Sequence, residues 1–204
     1  MSQPRKPLGL YVAAGVFLLT IVAVVASSFR RSTPPGYLPT TPNPRPVGET
    51  LVSDTITVDA RDGSRWARFD FDLESVVDDD AEGWDLAFNR FHIVTNGGPL
   101  YAGDGGALAV QTSWDSVTEA PDGDYTTTDG RLADGAVTPA LERWYEYSFF
   151  AHTLEPKDQV YVIRSAEGMY AKLRILSYYC PEATPGCVTF EYVFQGDGSR
   201  RLTS

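Results

Sequence analysis

The sequence predicts an antiparallel all-β domain over residues 51–204, set behind one apolar helix and a proline-rich linker. Three observations carry this. From residue 51 onward short segments alternate apolar and polar residues with period two. Turn-forming pairs (Asp62-Gly63, Asp122-Gly123, Asp129-Gly130) and Gly97-Gly98-Pro99 punctuate those segments. Outside residues 8–29, no long stretch keeps a 3.6-residue period.

Residues 1–7 form a short basic N-terminus, expected on the cytoplasmic side. Residues 8–29, LGLYVAAGVFLLTIVAVVASSF, hold no charge. About 20 apolar residues at 1.5 Å each cross the hydrocarbon core, so a transmembrane helix is expected. The competing reading is a cleaved secretory signal, for which Val24-Val25-Ala26 before Ser27 would pass as a cleavage site. The run exceeds the ~7–15 residues of a signal's apolar region, which favours an uncleaved anchor. Arg5 and Lys6 precede the run and Arg30 and Arg31 follow it, so loop charge barely decides orientation.

Residues 30–50 follow as a linker. Its six prolines between 31 and 50 exclude helix and central strand and favour polyproline II. A semi-rigid spacer reaching on the order of 60 Å is expected, holding the domain off the bilayer or lying along another protein.

In the β domain CVTFEYVFQ places Val188, Phe190, Tyr192 and Phe194 on one face, with Thr189, Glu191 and Gln195 opposite. MYAKLRI sets Ala171, Leu173 and Ile175 against Lys172 and Arg174. ARFDFDL sets Phe69, Phe71 and Leu73 against Asp70 and Asp72. QVYVIR, ALAVQT and TITVD complete the strands. In GWDLAFNRFHIVTNGG, residues 83–98, Trp84, Leu86 and Phe88 share one parity, whereas Phe91 and Ile93 have the other. One straight strand buries only one parity, so a bulge or bend near Asn89-Arg90 is expected, with His92 turned away from the buried face. A helix over Trp84–Phe91 is the weaker alternative, given the β-branched Ile93, Val94 and Thr95.

Cys180 and Cys187 flank Pro181 and Pro185-Gly186 between two β-rich runs. Two buried thiols or half of a metal site are the alternatives. With two cysteines and two histidines in the chain, structural zinc lacks ligands. A disulfide across a hairpin mouth is expected, which places residues 51–204 in an oxidising compartment. The topology is then single-pass, with the N-terminus inside and the domain in the periplasm of a bacterial inner membrane.

Five of 17 basic and one of 27 acidic residues lie in 1–50, so residues 51–204 carry twelve basic against 26 acidic residues, net −14. Such a domain repels phosphates, which argues against nucleic-acid binding. No nucleophile elbow, P-loop, zinc-protease motif or dinucleotide fingerprint is present, and no spacing singles out a carboxylate pair, so no enzyme is expected. The run Asp78-Asp79-Asp80 resembles the start of a calcium loop, but its twelfth position is Asn89 in place of the bidentate glutamate. A solvated loop is expected there, weak calcium binding being the other reading. His92 and His152 are read as structural or surface residues unless a metal or haem claims them. RWYEYSFF, residues 143–150, supplies Trp144, Tyr145, Tyr147, Phe149 and Phe150, more ring area than one strand usually buries. A cross-strand aromatic ladder and an exposed partner or flat-ligand surface remain equal readings.

Several stretches together, WDLAFNRFHIVTNGG, GGALAV, APDGDYTTTDG, VYVIRSAEGMYAKLRILSYY and GCVTFEY, resemble the HmuY family of bacterial haem-binding proteins, in the same order over roughly residues 52–196. The resemblance implies an all-β extracytoplasmic domain. It also implies haem held by two histidines in the haem-carrying branch. That branch's Trp-x-Glu-aromatic-Ser-His pattern is here Trp144-Tyr145-Glu146-Tyr147-Ser148-Phe149, with phenylalanine at the ligand position. The second ligand falls in about 133–143, which contains no histidine. A lipid-bearing cysteine near the N-terminus, typical of the branch, is replaced by the apolar helix. The expectation is therefore a non-enzymatic accessory subunit without cofactor. It would be membrane-anchored and docked on a larger membrane complex, respiratory or photosynthetic (reaction-centre or light-harvesting), through the aromatics of 144–150. Haem or tetrapyrrole binding through His152 or His92 is the alternative.

Overall fold

The computed structural model describes residues 8–28 and 33–203. The expected cytoplasmic residues 1–7, Phe29, and the flanking charges Arg5, Lys6, Arg30 and Arg31 lie outside the described residues. Leu8–Ser28 forms one 21-residue α-helix, α1. Its side chains from Tyr11 through Val25 are all exposed. Among the described residues no helix is long and apolar enough to cross a membrane.

The rest is antiparallel β structure. One sheet runs β1 (Leu51–Asp59), β11 (Thr184–Gln195), β10 (Tyr170–Cys180), β9 (Val160–Arg164), β6 (Gly106–Val110). A second runs β3 (Ser75–Val77), β2 (Ala67–Asp70), β4 (Leu86–Asn89), β5 (His92–Thr95). A two-stranded hairpin, β7 (Tyr145–Ser148) with β8 (Thr153–Pro156), follows the short helix α2 (Pro139–Glu142). The two larger sheets enclose one core. Phe69, Phe71, Leu86, Phe88 and Ile93 meet Ile56, Ile163, Leu173, Phe190, Tyr192 and Phe194. Rings meet edge to face (Phe69–Phe190, 5.4 Å) or stacked (Phe88–Phe190, 5.7 Å), the arrangements their quadrupoles favour.

The apolar face read for β11 is buried at Val188, Phe190, Tyr192 and Phe194, but Thr189 and Gln195 on the opposite face are buried as well. The alternation in ARFDFDL breaks after Asp70, where the strand ends, and Asp70 itself is buried. Lys172, expected in solvent, is buried too. Its Nζ donates to the Trp114 and Val117 carbonyls at 3.1 and 2.8 Å and lies 4.6 Å from the Trp114 ring. A second apolar layer, Val117, Ala120, Val160, Val162 and Leu202, covers this outer face of the large sheet.

The stretch 83–98 is two strands, not one bent strand. Asn89 pairs with His92, and Arg90-Phe91 make a complete reversal between β4 and β5. Arg90 adopts a φ of 53°, uncommon for a side-chain-bearing residue. Its N–H donates to Ala60 O at 2.9 Å and its guanidinium to Arg61 O at 3.1 Å, while Asn89 Nδ2 binds Gly63 O and Arg65 O. These long-range bonds hold the turn.

The linker is strapped onto its own domain rather than extended from it. Tyr37 N donates to Tyr179 O (2.9 Å), Thr40 N to Thr57 O (2.9 Å), Arg45 N to Leu73 O (2.9 Å) and Val47 N to Asp72 O (2.8 Å). Ser177 Oγ donates to Pro35 O. A Cβ at Gly36 would sit 2.2 Å from Cys180 O, so only glycine fits this close crossing. The free 60 Å spacer expected of residues 30–50 is thus not formed over 33–47.

Candidate functional site

The β7–β8 hairpin carries the exposed rings. Its root is Trp144, completely buried, with Nε1–H donating to Phe91 O at 2.8 Å. Trp144 is therefore a core residue and is withdrawn from any partner surface: the indole fills space beside Leu141 and Tyr178 and its one donor is satisfied. Tyr145 is half-buried, its ring 5.1 Å from Trp144 and 5.8 Å from Phe91. The far strand is fixed by Leu154 N, which donates to Tyr179 Oη at 2.8 Å.

Beyond this root the rings turn outward. Tyr147 is 54% exposed and Phe149 and Phe150 are each 74% exposed, whereas the sandwich buries its aromatics. Residues 149–152 close the hairpin, with His152 N donating to Ser148 O at 2.8 Å and His152 at a φ of 55°. His152 Nδ1 lies 2.6 Å from Tyr147 Oη, and the Phe149 ring is 6.1 Å from the imidazole. The tip thus gathers one oriented imidazole and three exposed rings. The alternative reading of this run as core holds for Trp144 and in part for Tyr145, but no cross-strand aromatic ladder forms, since Tyr145 faces Pro156 and Tyr147 faces Leu154.

His92 lies elsewhere. It is exposed at the start of β5, its ring tilted against Phe91 with centroids 4.3 Å apart, and lines a cleft of about 270 Å³ with Gly63, Trp66 and Leu132. His152, in the turn of the β7–β8 hairpin, is not among the residues lining the cleft at His92. Among the described residues no group of three or more His, Cys, Asp or Glu side chains is placed to hold a metal. In the acidic loop, Arg68 donates to the Asp79 and Ala81 carbonyls and Arg65 pairs with Asp79 at 3.7 Å, as in a solvated loop closed by arginines. Cys180 and Cys187 form the expected disulfide, closing the β10–β11 hairpin.

One polar cluster was hidden in the sequence. Asp85 is fully buried; its Oδ2 accepts from Phe71 N at 2.8 Å and its Oδ1 from Ala166 N at 2.7 Å. Burial raises its pKa well above the carboxylate range, and burial likewise pushes Asp70 up to about 6. Glu167 and Asp72 are raised by the same cause. Sequence positions 70, 85 and 167 give no spacing signal, and only the sheets bring them together. With both oxygens of Asp85 occupied by backbone donors and no solvent access, Asp85 joins three segments of chain and is closed to a substrate.

The comparisons agree with this architecture. The profile of the family described as HmuY protein matches residues 62–192. Among solved structures, the apo HmuY analog of Tannerella forsythia matches with TM-score 0.59 at 20% identity, over 73% of this chain and 98% of that one. A protein of Bacteroides vulgatus assigned as HmuY-like and haem-binding matches with TM-score 0.55 at 23% identity, over 77% and 96%. Apo PinO from Porphyromonas matches with TM-score 0.57 at 13% identity, over 72% and 98%. No curated protein matches the sequence. With its two sheets, its aromatic hairpin and a profile match over more than half its length, the chain belongs to the HmuY family.

Proposed function

We propose that this chain is a non-enzymatic haem-type tetrapyrrole-binding domain, held at the outer face of a bacterial inner membrane by α1. The observation that supports this reading most directly is the hairpin tip: an oriented histidine beside three exposed rings, in a family with a relative assigned as haem-binding. The residues fit the group on one side. The Tyr147 contact engages His152 Nδ1 and orients the ring, leaving Nε2 as the coordinating nitrogen, the arrangement in which a second contact fixes a ligating imidazole. Phe149 and Phe150 supply flat apolar faces for a macrocycle. They do not fit a two-histidine clamp, since Phe149 has no lone pair to donate and His92 lies in another cleft. A bound tetrapyrrole would bring an iron able to take His152 as its single protein ligand.

A second reading is favoured by that same phenylalanine. A ring in place of a ligand suits an accessory subunit that docks Tyr147, Phe149 and Phe150 on a larger membrane complex and stabilises it. Haemin titration of the full chain separates the two. A Soret shift that disappears in His152→Ala and persists in His92→Ala supports tetrapyrrole binding. No shift, or one surviving both substitutions, removes histidine ligation. Co-migration with a larger assembly after gentle solubilisation then supports docking.

A further inference from the structure

We infer that the tip of the β7–β8 hairpin, Phe149 and Phe150, lies in the interfacial layer of the bilayer that holds α1. The inference rests on α1 as the membrane anchor and is independent of tetrapyrrole binding. Three observations carry it.

First, the strap leaves little slack. α1 ends at Ser28 and the chain is fixed again at Pro35, whose carbonyl takes the Ser177 hydroxyl. At ~3.6 Å per residue the intervening chain spans at most about 25 Å, so the domain stays close beside the membrane. Second, the strap begins against this hairpin. Thr33, Pro34 and Pro35 line a cleft of about 260 Å³ together with Thr153, Leu154 and Pro156 of β8. The point where the chain arrives from the helix and the strand that leaves the tip are therefore neighbours. Third, Phe149 and Phe150 are the most exposed aromatic side chains among the described residues and sit side by side, 6.0 Å between ring centres. Amphipathic and aromatic rings settle at the headgroup level, where an apolar body is shielded and polar neighbours stay wet. Tyr147, two residues before Phe149, and His152, two residues after Phe150, supply those polar neighbours.

The charge of the hairpin specifies the lipid. Glu146 stands directly opposite Glu155, and with Asp158 they outnumber the one cation, Lys157, that lines the same polar cleft at the base. Anionic headgroups repel this flank. The contact is therefore apolar, strongest on zwitterionic lipid, and insensitive to salt.

The test uses the full chain reconstituted in zwitterionic vesicles, with an environment-sensitive fluorophore on A151C at the tip or on L100C, an exposed site elsewhere in the domain. Expected are a blue shift and a loss of quenching by aqueous iodide at A151C, with L100C remaining accessible. Adding F149S and F150S should return A151C to the accessibility of L100C. An accessible A151C in vesicles overturns the inference, as does shielding that survives loss of both rings. Shielding in native membranes alone also overturns it and assigns the tip to a protein partner. Flotation keeps the premises apart: protein that fails to float with the vesicles refutes the anchor, whereas floating protein with an aqueous tip refutes only the docking.

Discussion

The sandwich and the hairpin draw on the same residue types for opposite ends. In the sandwich, Phe69, Phe71, Phe88, Phe190, Tyr192 and Phe194 are sealed between two sheets and touch one another at 5–6 Å. In the hairpin, Trp144 is sealed but Tyr147, Phe149 and Phe150 are left in the open within six residues of chain. Ring burial supplies most of a domain's stability. Rings left exposed therefore contribute little to folding, and three together at a hairpin tip are available to a ligand, a lipid or a partner. The hairpin also depends on the sandwich for its own order, because an isolated two-stranded ribbon is marginal in water. Trp144, through its bond to Phe91, and Tyr179, through its hydroxyl on Leu154, supply that support.

The largest effect that tests the contrast is in the core. Phe190→Ala removes the ring that meets both Phe69 and Phe88, and truncations of this kind cost about 3–5 kcal/mol. Urea unfolding should show a large drop in midpoint with little change in slope. A loss below about 1 kcal/mol would mean the sheets do not close on this ring.

Acidity gives the next effect, and its sign is unusual. Asp70 has a folded pKa of about 6, above its ordinary 3.8, because burial disfavours its charge. Between those values the folded state binds more protons than the unfolded one. Its contribution therefore favours folding below about pH 4 and is lost as pH rises through 6, at most about 3 kcal/mol. Asp85, Glu167 and Asp72 are shifted in the same direction by burial. Asp59, held low by Arg61, opposes them, but it is a partly exposed pair of small worth. Stability measured from pH 7 to pH 5 should rise, and Asp70→Asn should flatten that slope and stabilise at pH 7. A slope of the opposite sign would show that Asp70 is solvated.

How much of this was legible in the sequence follows from where each cause lies. Val188, Phe190, Tyr192 and Phe194 were readable because a strand's parity is local and the opposite face of β11 remained mostly polar. The Arg90-Phe91 reversal was not, since it lacks Asn-Gly or Gly and is held by acceptors at Ala60 and Arg61. Lys172 and Asp70 read as solvent-facing because what covers them is distant in sequence: residues 114–117 over Lys172, and the Glu167 turn beside Asp70. The prolines of the linker excluded helix, and none forms over 33–50, but the parts of the domain that capture the strap do not show in its composition. At the candidate site, Tyr147, Phe149 and Phe150 could be listed but not separated from Trp144, because the run bends from core to tip just where β7 begins.

The smallest effect on stability is the most informative about function. Phe149→Ser with Phe150→Ser removes two rings that are three-quarters exposed, and surface changes of this kind stay within about 0.5 kcal/mol. The midpoint of urea unfolding should match the parent chain, while the haemin titration or the vesicle contact loses its response. A fall of 2 kcal/mol or more, the scale reached by truncating buried aromatics, would place these rings in the folded core and abolish the contrast between sandwich and hairpin. An unchanged midpoint with unchanged binding would leave the contrast standing but move the functional surface off the tip. The paired outcome, stability kept and binding lost, is what a hairpin held rigid from below and left apolar at its end requires.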